Sequence, residues 1–239
     1  MEKKSDREIW LGDSNGPMGD VGAFMESELR VDRADLPGHI RQLDGARNLI
    51  AVVGAPGSGK SRLARELCTA LNEDAPDTAA IVAMDGFHLD NDTLDARGMR
   101  HIKGAPETFD VAGFIYLLQK IRTAGTDIPV PTFDRSIDAV VPGGARIAAG
   151  TRFVLVEGNY LLLTRPGWHD LFPLFDLSIR IDVAEAELRR RLLRRWRDLP
   201  EAEALRKVEE NDLPNGRMLR AESRAADLVV RVEDAPPPG

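Results

Sequence analysis

Short apolar runs alternate with segments of helical periodicity along most of the chain. The apolar runs cover residues 48–53, 79–84, 152–156, 177–181 and 227–232, and helical periodicity covers residues 61–71, 111–122 and 184–196. Runs that are apolar throughout predict strands buried on both faces of a parallel sheet. The alternation therefore predicts an α/β protein with an open parallel sheet covered by helices on both sides. Ligands of such sheets bind beyond the carboxyl ends of the strands.

The two ends of the chain lack this periodicity. Residues 1–31 mix Gly, Asp, Ser and Glu around the turn signal Asn15-Gly16-Pro17, and residues 235–239 read Ala-Pro-Pro-Pro-Gly. Such segments neither continue a strand nor form a long helix. We expect an N-terminal extension over residues 1–31, one domain over residues 32–234 and a frayed tail over residues 235–239.

Composition narrows the class of protein. The chain has 239 residues, a formal net charge of -7 and a single cysteine, Cys68. The acidic balance argues against a nucleic-acid-coating protein, and one cysteine excludes an internal disulfide and a multi-cysteine zinc site. No apolar run approaches the roughly 18 to 20 residues that a membrane helix needs. We expect a cytoplasmic enzyme that binds neither membrane nor nucleic acid; its oligomeric state is left open, with a homodimer as one option.

A phosphate-binding motif follows the first apolar run. Residues 54–61 read Gly-Ala-Pro-Gly-Ser-Gly-Lys-Ser, a full match to G-x-x-x-x-G-K-[ST] between a buried strand and an amphipathic helix. The glycines let backbone N–H groups point at phosphate oxygens, Lys60 reaches the outer phosphates, and the Ser61 hydroxyl can bind Mg²⁺. The nucleotide-binding residues are predicted to be Gly54, Ala55, Pro56, Gly57, Ser58, Gly59, Lys60, Ser61 and Arg62. The N-K-x-D motif typical of guanine-specific proteins is absent from the sequence.

The second apolar run ends at Met84-Asp85-Gly86-Phe87-His88. A carboxylate at this strand end lies across from the phosphate loop, where it can accept the proton of a substrate hydroxyl or help to hold Mg²⁺. The alternative is an Asp that only caps the next helix, a role for which Asp90 is better placed. We take Asp85 as a catalytic base and His88 as a substrate-binding residue.

Two later segments add polar candidates. Asp134 and Arg135 lie in a charged, aromatic segment flanked by prolines, where they either pair with each other at the surface or face the substrate. Glu157 closes a buried strand, and an acidic residue at that position is the Walker B pattern, which orients Mg²⁺ or its water shell. We assign Asp134 and Arg135 to the substrate, and Ser61 and Glu157 to the metal.

Five arginines lie on the predicted helix after Asp182. Residues three or four apart share a helix face, so Arg190 with Arg194, or Arg191 with Arg195, could close over the phosphates as a lid. The alternative is a solvated basic face that pairs with nearby glutamates. Spacing alone does not select between the pairs, and we carry Arg190 and Arg194 forward as catalytic residues.

The order of these motifs resembles the P-loop kinases of the uridine kinase, phosphoribulokinase and bacterial pantothenate kinase group. The resemblance runs from about residue 48 to residue 232 and rests on the phosphate loop, Asp85-Gly86-Phe87, residues 103–110, residues 131–142, Glu157-Gly158 and residues 211–215. Within the group the chain looks most similar to bacterial proteins described as nucleoside/nucleotide kinase-like or as fructose transport system kinases. They share the wording of residues 84–91 and 103–110 and the Asn-Asp-Leu-Pro-Asn segment.

The resemblance implies a three-layer α/β/α sandwich of the P-loop NTPase type, with a five-stranded parallel core and a helical lid. It also implies ATP and Mg²⁺ as donor and a hydroxyl of a small molecule as acceptor, and it places Asn211 at an acceptor-binding position. Arg135 departs from the acceptor-binding His of the pantothenate kinases, and Gly86-Phe87-His88 departs from the Ser-Phe-Tyr of the uridine kinases.

These observations favour an ATP-dependent kinase acting on a nucleoside, a pantothenate-like molecule or a sugar. The alternative is a nucleotide-dependent regulatory or accessory ATPase without a small-molecule acceptor. A pure switch has no need of an acceptor pocket, so the Asp85 segment and the arginine helix favour the kinase.

Overall fold

The fold is known from a computed structural model that describes residues 28–231. Within these residues, six parallel strands form the central sheet in the order β1-β8-β7-β2-β6-β3. They are β1 (Leu29–Arg30), β2 (Asn48–Val53), β3 (Ala79–Ala83), β6 (Phe153–Gly158), β7 (Leu177–Asp182) and β8 (Leu228–Arg231). The five predicted strands are therefore neighbours in one parallel sheet, as expected.

The edge strand β1 comes from a segment that the sequence assigns to the N-terminal extension. Leu29 and Arg30 pair with Leu228 and Val229 of β8, so the sheet includes the last residues of that segment. Residues 1–27 and the predicted tail, residues 235–239, lie outside the described residues.

Helices cover both faces of the sheet. Alternate β2 residues pack on opposite sides: Leu49 and Ala51 belong to one apolar core, and Ile50 and Val52 to the other. The α-helices are α1 (Leu36–Arg41), α2 (Lys60–Leu71), α3 (Asn91–Ala96), α4 (Val111–Thr123), α5 (Glu185–Arg195), α6 (Glu201–Arg206) and α7 (Leu213–Glu222). Short 3₁₀ segments cover Arg33–Asp35, Met84–Phe87, Arg100–Ile102, Pro106–Thr108 and Trp168–Leu174, and a π-helical segment covers Lys207–Asp212. This is the predicted three-layer sandwich.

Two helix starts follow from single side chains. Asp90 accepts a hydrogen bond from the Thr93 N–H at the start of α3, and Asp110 accepts one from the Gly113 N–H at the start of α4. Each carboxylate satisfies a backbone donor that has no partner inside its helix. The capping role predicted for Asp90 is confirmed.

The segment predicted as a loop between prolines is a β-hairpin. Strands β4 (Ile128–Asp134) and β5 (Ala139–Ile147) pair antiparallel, with a register irregularity between Val130 and Thr132. Prolines remove ladder donors, and an isolated two-stranded ribbon tolerates them because its outer edges need no donor. The hairpin packs against the 3₁₀ turn after β3, which puts its tip beside Asp85.

The predicted helical lid corresponds to the run from α5 to α7. Leu188 and Leu192 of α5 pack in the same core as Leu63 and Leu67 of α2, so this part of the lid rests on the phosphate-loop helix. Among residues 28–231, no helix is long and apolar enough to cross a membrane.

Candidate functional site

The phosphate loop joins β2 to α2 at the carboxyl edge of the sheet. Gly57 and Gly59 have φ angles of 79° and 96°, in the left-handed region that favours glycine. Helix α2 begins at Lys60, so the first N–H groups of the helix have no partners within it and face the concave side of the loop. This geometry is an anion site of the kind that holds a triphosphate.

Strand register brings the acidic strand end to this loop. Glu157 of β6 is level with Val52 of β2 and with Ala83 of β3. The Ser61 hydroxyl donates a hydrogen bond to Glu157 Oε1 over 3.0 Å. Two oxygen ligands predicted for the metal are thus in direct contact.

Glu157 and Lys60 carry opposite charges, and each charge acts on the pKa of the other. Glu157 is 8% exposed, and burial raises the pKa of its carboxyl, an effect that the Lys60 charge opposes. Burial lowers the pKa of Lys60, and the carboxylates of Glu157 and Asp85 act in the opposite direction. Lys60, Glu157 and Asp85 therefore lie within electrostatic reach of one another.

Asp85 lies in the 3₁₀ turn that follows β3 and is bound by the hairpin. Arg135 Nη2 donates to Asp85 Oδ2 over 2.7 Å, with the Arg135 side chain 61% exposed and that of Asp85 28% exposed. Arg135 therefore pairs with Asp85 and not with Asp134, so the alternative to a substrate-facing role, an ion pair between these two neighbours, does not form. Asp134 instead accepts hydrogen bonds from the backbone N–H and the hydroxyl of Ser136, which fixes the hairpin turn.

His88 holds the Asp85 turn in place. Its Nδ1 lies 2.8 Å from the Asp85 carbonyl oxygen, and its ring packs between Phe109 and Phe133, with centroids 4.2 and 4.7 Å away. Burial lowers the pKa of the imidazole, which favours the neutral form. These contacts give His88 a supporting role, and its predicted contact with substrate stays a prediction.

The segment before α7 contains the predicted Asn211 and adds one residue, Asp212, that sequence reasoning missed. Asn211 Oδ1 accepts a hydrogen bond from Asn215 over 3.0 Å, and its predicted contact with the acceptor stays a prediction. The next residue, Asp212, accepts a hydrogen bond from Trp196 Nε1 over 2.8 Å. Burial raises the pKa of Asp212, and the charges of Arg195 and Lys60 oppose that rise. Its position next to Asn211 was the signal that could have identified it.

The arginines of α5 are divided by helix face. Arg191 donates to Glu187 and, through Nη1, to the Ser58 carbonyl of the phosphate loop over 3.2 Å. Arg195 is exposed, and its guanidinium lies within electrostatic reach of Arg135, Asp212 and Asp85: desolvation and then the Arg135 charge lower its pKa, whereas the two carboxylates raise it. Arg191 and Arg195 therefore face the site.

The structure places Arg190 and Arg194, the pair selected from the sequence, on the face of α5 that points away from the core, and their catalytic role stays a prediction. Arg190 is held by both oxygens of Glu187, and Arg194 is exposed and has no ion pair among residues 28–231. Leu188 and Leu192 are buried, and each lies two positions before one of these arginines. Two positions turn a helix by about 200°, so Arg190 and Arg194 point away from the core. The apolar face of the helix could have selected the other pair. Arg62, predicted at the nucleotide, has its side chain bound to Glu66 on the exposed face of α2.

The residues present fit a magnesium ion. Mg²⁺ in phosphoryl-transfer sites usually takes one or two protein oxygens and completes its shell with phosphates and water. Ser61 and Glu157 supply such oxygens beside the phosphate loop. Within residues 28–231 no group of three or more His, Cys, Asp or Glu side chains could hold a metal ion.

Comparisons with known proteins place the chain in a family. No protein-family profile matches it. A Schizosaccharomyces pombe protein named "Putative uridine kinase C227.14" is 34% identical over 196 residues, which are 77% of this chain and 83% of that protein. A pantothenate kinase of Myxococcus xanthus is 30% identical over 156 residues; these are 62% of this chain but only 49% of that enzyme.

A solved structure of a related kinase supports the same family assignment as these two relatives. The crystal structure of a "putative fructose transport system kinase" from Silicibacter sp. TM1040 matches with a TM-score of 0.78 and 42% identity, over 83% of this chain and 98% of that one. With the phosphate loop, the Asp85 turn and Glu157 together at one edge of the sheet, this chain belongs to the P-loop kinases of the uridine kinase and pantothenate kinase group.

Proposed function

We propose that the protein transfers the γ-phosphoryl group of ATP to a hydroxyl of a small molecule, with Asp85 as the general base. The observation that carries the proposal is the convergence of Lys60, Glu157 and Asp85 from three neighbouring strand ends, with each charge influencing the others. Phosphoryl transfer is catalysed mainly by positioning and by electrostatic stabilisation, and this convergence supplies both.

The phosphate loop and Lys60 bind the triphosphate and fix its direction. Ser61 and Glu157 would hold Mg²⁺, which neutralises charge on the phosphates when bound. The donor therefore lies over β2, and the acceptor approaches from the side of β3, where Asp85 lies beyond the strand end. Arg135 occupies Asp85 Oδ2 and leaves Oδ1 for the acceptor hydroxyl.

The lid supplies charge from the other side of the loop. Arg191 already contacts the phosphate loop at Ser58, and Arg195 lies within electrostatic reach of Asp85. Guanidinium groups at this position offset the charge that develops on the transferred group. An enzyme that consumes ATP in this way works in the cytoplasm, where the ATP pool is.

The names of the relatives supply the first acceptors to try. They include a uridine kinase, pantothenate kinases and a fructose transport system kinase, so the acceptor panel contains nucleosides, pantothenate, ketoses and other sugars. ADP release from Mg²⁺-ATP is measured with each compound. At least one acceptor is expected to raise the rate well above the rate with ATP alone.

Three variants test the residue assignments. Lys60→Ala is expected to abolish ATP turnover, and Asp85→Asn to bind ATP but lose transfer by roughly 10²-fold or more. Asp92→Asn makes the same chemical change at an exposed position of α3 and serves as the control. Near-wild-type transfer by Asp85→Asn would remove the base assignment. A slow hydrolysis that no acceptor stimulates would favour the regulatory ATPase.

A further inference from the structure

Arg135 is held over the catalytic carboxylate by the hairpin. It follows β4 at the hairpin tip, and Asp85 is its one ion-pair partner among residues 28–231. Further contacts hold the hairpin against the Asp85 turn: the Phe133 ring packs on the His88 ring with centroids 4.7 Å apart, and Asp138 pairs with Lys103 over 2.8 Å. The guanidinium is thus fixed beside the place where the acceptor hydroxyl must bind.

Lys103, the other basic residue on this side of the site, is far less exposed than Arg135. Lys103 Nζ donates to Asn91 over 2.7 Å and pairs with Asp138 over 2.8 Å, with its side chain only 14% exposed. Lys103 therefore supports the hairpin tip, whereas Arg135 is largely exposed to the cleft.

The cations of the site divide between the donor side and the acceptor side. Lys60 and the lid arginines face the donor phosphates, which leaves Arg135 as the exposed cation of the acceptor side. Its side chain is 61% exposed and bonds Asp85 through a single nitrogen, Nη2, so its other N–H groups are open to an anion.

Distance limits where that anion sits on the acceptor. A hydroxyl bonded to Asp85 lies within about 5 to 7 Å of Arg135 Nη2, given 2.7 Å between Nη2 and Oδ2 and ordinary hydrogen-bond lengths. We propose that the acceptor is an anion, a hydroxy acid or a phosphate ester, whose carboxylate or phosphate lies within about three carbon atoms of the reacting hydroxyl and is bound by Arg135.

A flat aromatic acceptor fits this side less well. The rings around the Asp85 turn already pack against each other in tilted pairs, His88 with Phe109 and with Phe133, and Phe87 with Phe114 with centroids 4.6 Å apart. Arginine binds carboxylate and phosphate alike through charge-assisted hydrogen bonds.

This inference rests on the proposed function, and matched acceptor pairs test it separately. Four pairs differ by one anionic group within about three carbon atoms of a hydroxyl: glycerate and glycerol, gluconate and glucose, fructose 6-phosphate and fructose, uridine 5′-phosphate and uridine. Pantothenate and panthenol form a fifth pair, in which the carboxylate lies farther from every hydroxyl and which therefore tests the distance limit. Transfer is measured for each compound, and binding in the presence of Mg²⁺-ADP is measured by calorimetry. Comparison of the carboxylate pairs with the phosphate pairs identifies which anion is preferred.

The variants are Arg135→Gln, Arg135→Lys and, as a control on the same hairpin, Arg146→Gln. Arg146 lies on β5 and pairs with Asp127 and Asp77, away from Asp85. Arg135→Gln is expected to raise the KM of the anionic acceptor by about 10- to 100-fold and to leave little preference over its neutral partner. Arg135→Lys restores part of that preference, and Arg146→Gln retains all of it.

The outcomes separate the two claims. Equal or better transfer to the neutral members would overturn the inference and leave the kinase standing. An equal loss of kcat by Arg135→Gln with anionic and neutral acceptors would also overturn it, because Arg135 would then act on the transferred phosphoryl group. No transfer to any compound would contradict the kinase, and the absence of Arg135-dependent binding of any anion would contradict the inference independently.

Discussion

Gly86 shows how one residue positions the chemistry of its neighbour. A Cβ at this residue would lie 2.4 Å from the Pro131 carbonyl oxygen and 2.8 Å from its carbonyl carbon. Both atoms are backbone, so a side chain could enter only if the hairpin moved. The Asp-Gly pair of the sequence is therefore explained by the close approach of the hairpin, which carries Arg135 to Asp85.

Gly86→Ala is expected to destabilise the protein by about 1–3 kcal/mol and to lower transfer, because the displaced hairpin loses the Arg135–Asp85 contact. Gly38→Ala is the matched control. No atom lies within 4 Å of a Cβ there, and Gly38 is an exposed position of α1. Ala at a helix position stabilises by about 0.5–1 kcal/mol relative to Gly. Urea unfolding measures both; an unchanged stability of Gly86→Ala would contradict the packing argument.

The positions of several site residues were predictable from the sequence, and their chemical roles stay predictions. Lys60, Ser61, Asp85 and Glu157 were named from motif and strand-end position, because the carboxyl ends of parallel strands meet at one edge of the sheet. The partner of Arg135 was not readable, since a contact across 50 residues depends on where the hairpin folds back.

At the scale of elements, helix α5 combines packing with function. Its apolar face rests on the α2 side of the sheet, and the neighbouring face carries Arg191 and Arg195 to the phosphate loop. The opposite face carries Arg190 and Arg194. Periodicity predicted the helix, but a choice between the arginine pairs needed the direction of its buried face as well.

We expect the two faces to differ in activity. Arg191→Ala and Arg195→Ala should each lower phosphoryl transfer by about 10-fold or more, because each removes a guanidinium near the transferred group. Arg194→Ala changes the same residue type on the same helix and should stay within about twofold of wild type. A larger loss for Arg194→Ala than for Arg195→Ala would reverse the assignment of faces.

Glu187 holds the first turns of this helix together. Hydrogen bonds from Arg190 and Arg191 lower the pKa of Glu187 from 4.5 to about 2. Because the folded-state pKa lies below the unfolded one, the stabilisation is complete above about pH 4.5 and is lost as the pH falls toward 2. Glu187→Gln should lower Tm at pH 7, and its difference from wild type should shrink at pH 3.5. A constant difference in Tm at both pH values would contradict this linkage.

The hairpin was the element that the sequence misplaced. The segment is rich in proline and glycine, with Pro129, Pro131, Pro142, Gly143 and Gly144, and such a composition is typical of a loop. The charged, aromatic part between the prolines was therefore predicted to be a loop. In a two-stranded ribbon the sterics of proline are tolerated, and only packing on the Asp85 turn makes the ribbon stable. Such tertiary support leaves no local signal.

At the scale of the whole molecule, a buried ion pair attaches the edge strand β1 to the rest of the sheet. Glu28 precedes β1 and bonds Arg180 of β7 through both carboxylate oxygens, and Glu28 Oε1 also accepts from the Ala226 N–H over 2.9 Å. The two side chains are 7% and 18% exposed. This pair joins β1 to the sheet across the neighbouring strand β8.

Removal of one partner should cost far more here than at the surface. Glu28→Gln keeps the shape but leaves Arg180 uncompensated, and is expected to lower the free energy of unfolding by about 3–5 kcal/mol. Glu66→Gln breaks the exposed pair with Arg33 and should cost less than about 1 kcal/mol. Urea denaturation compares the two; equal effects would show that the Glu28 pair contributes no more than a surface pair.

In the proposed reaction, the donor lies over β2 and the acceptor over the end of β3. Transfer and hydrolysis are distinguished most directly by ATP labelled with ¹⁸O on the γ-phosphoryl group, with mass spectrometry of the acceptor and of free phosphate. We expect the wild-type protein to deliver the labelled phosphoryl group to the acceptor hydroxyl and Asp85→Asn to lose that product by roughly 10²-fold or more. Label recovered only in free phosphate, at the same rate in both proteins, would contradict the account.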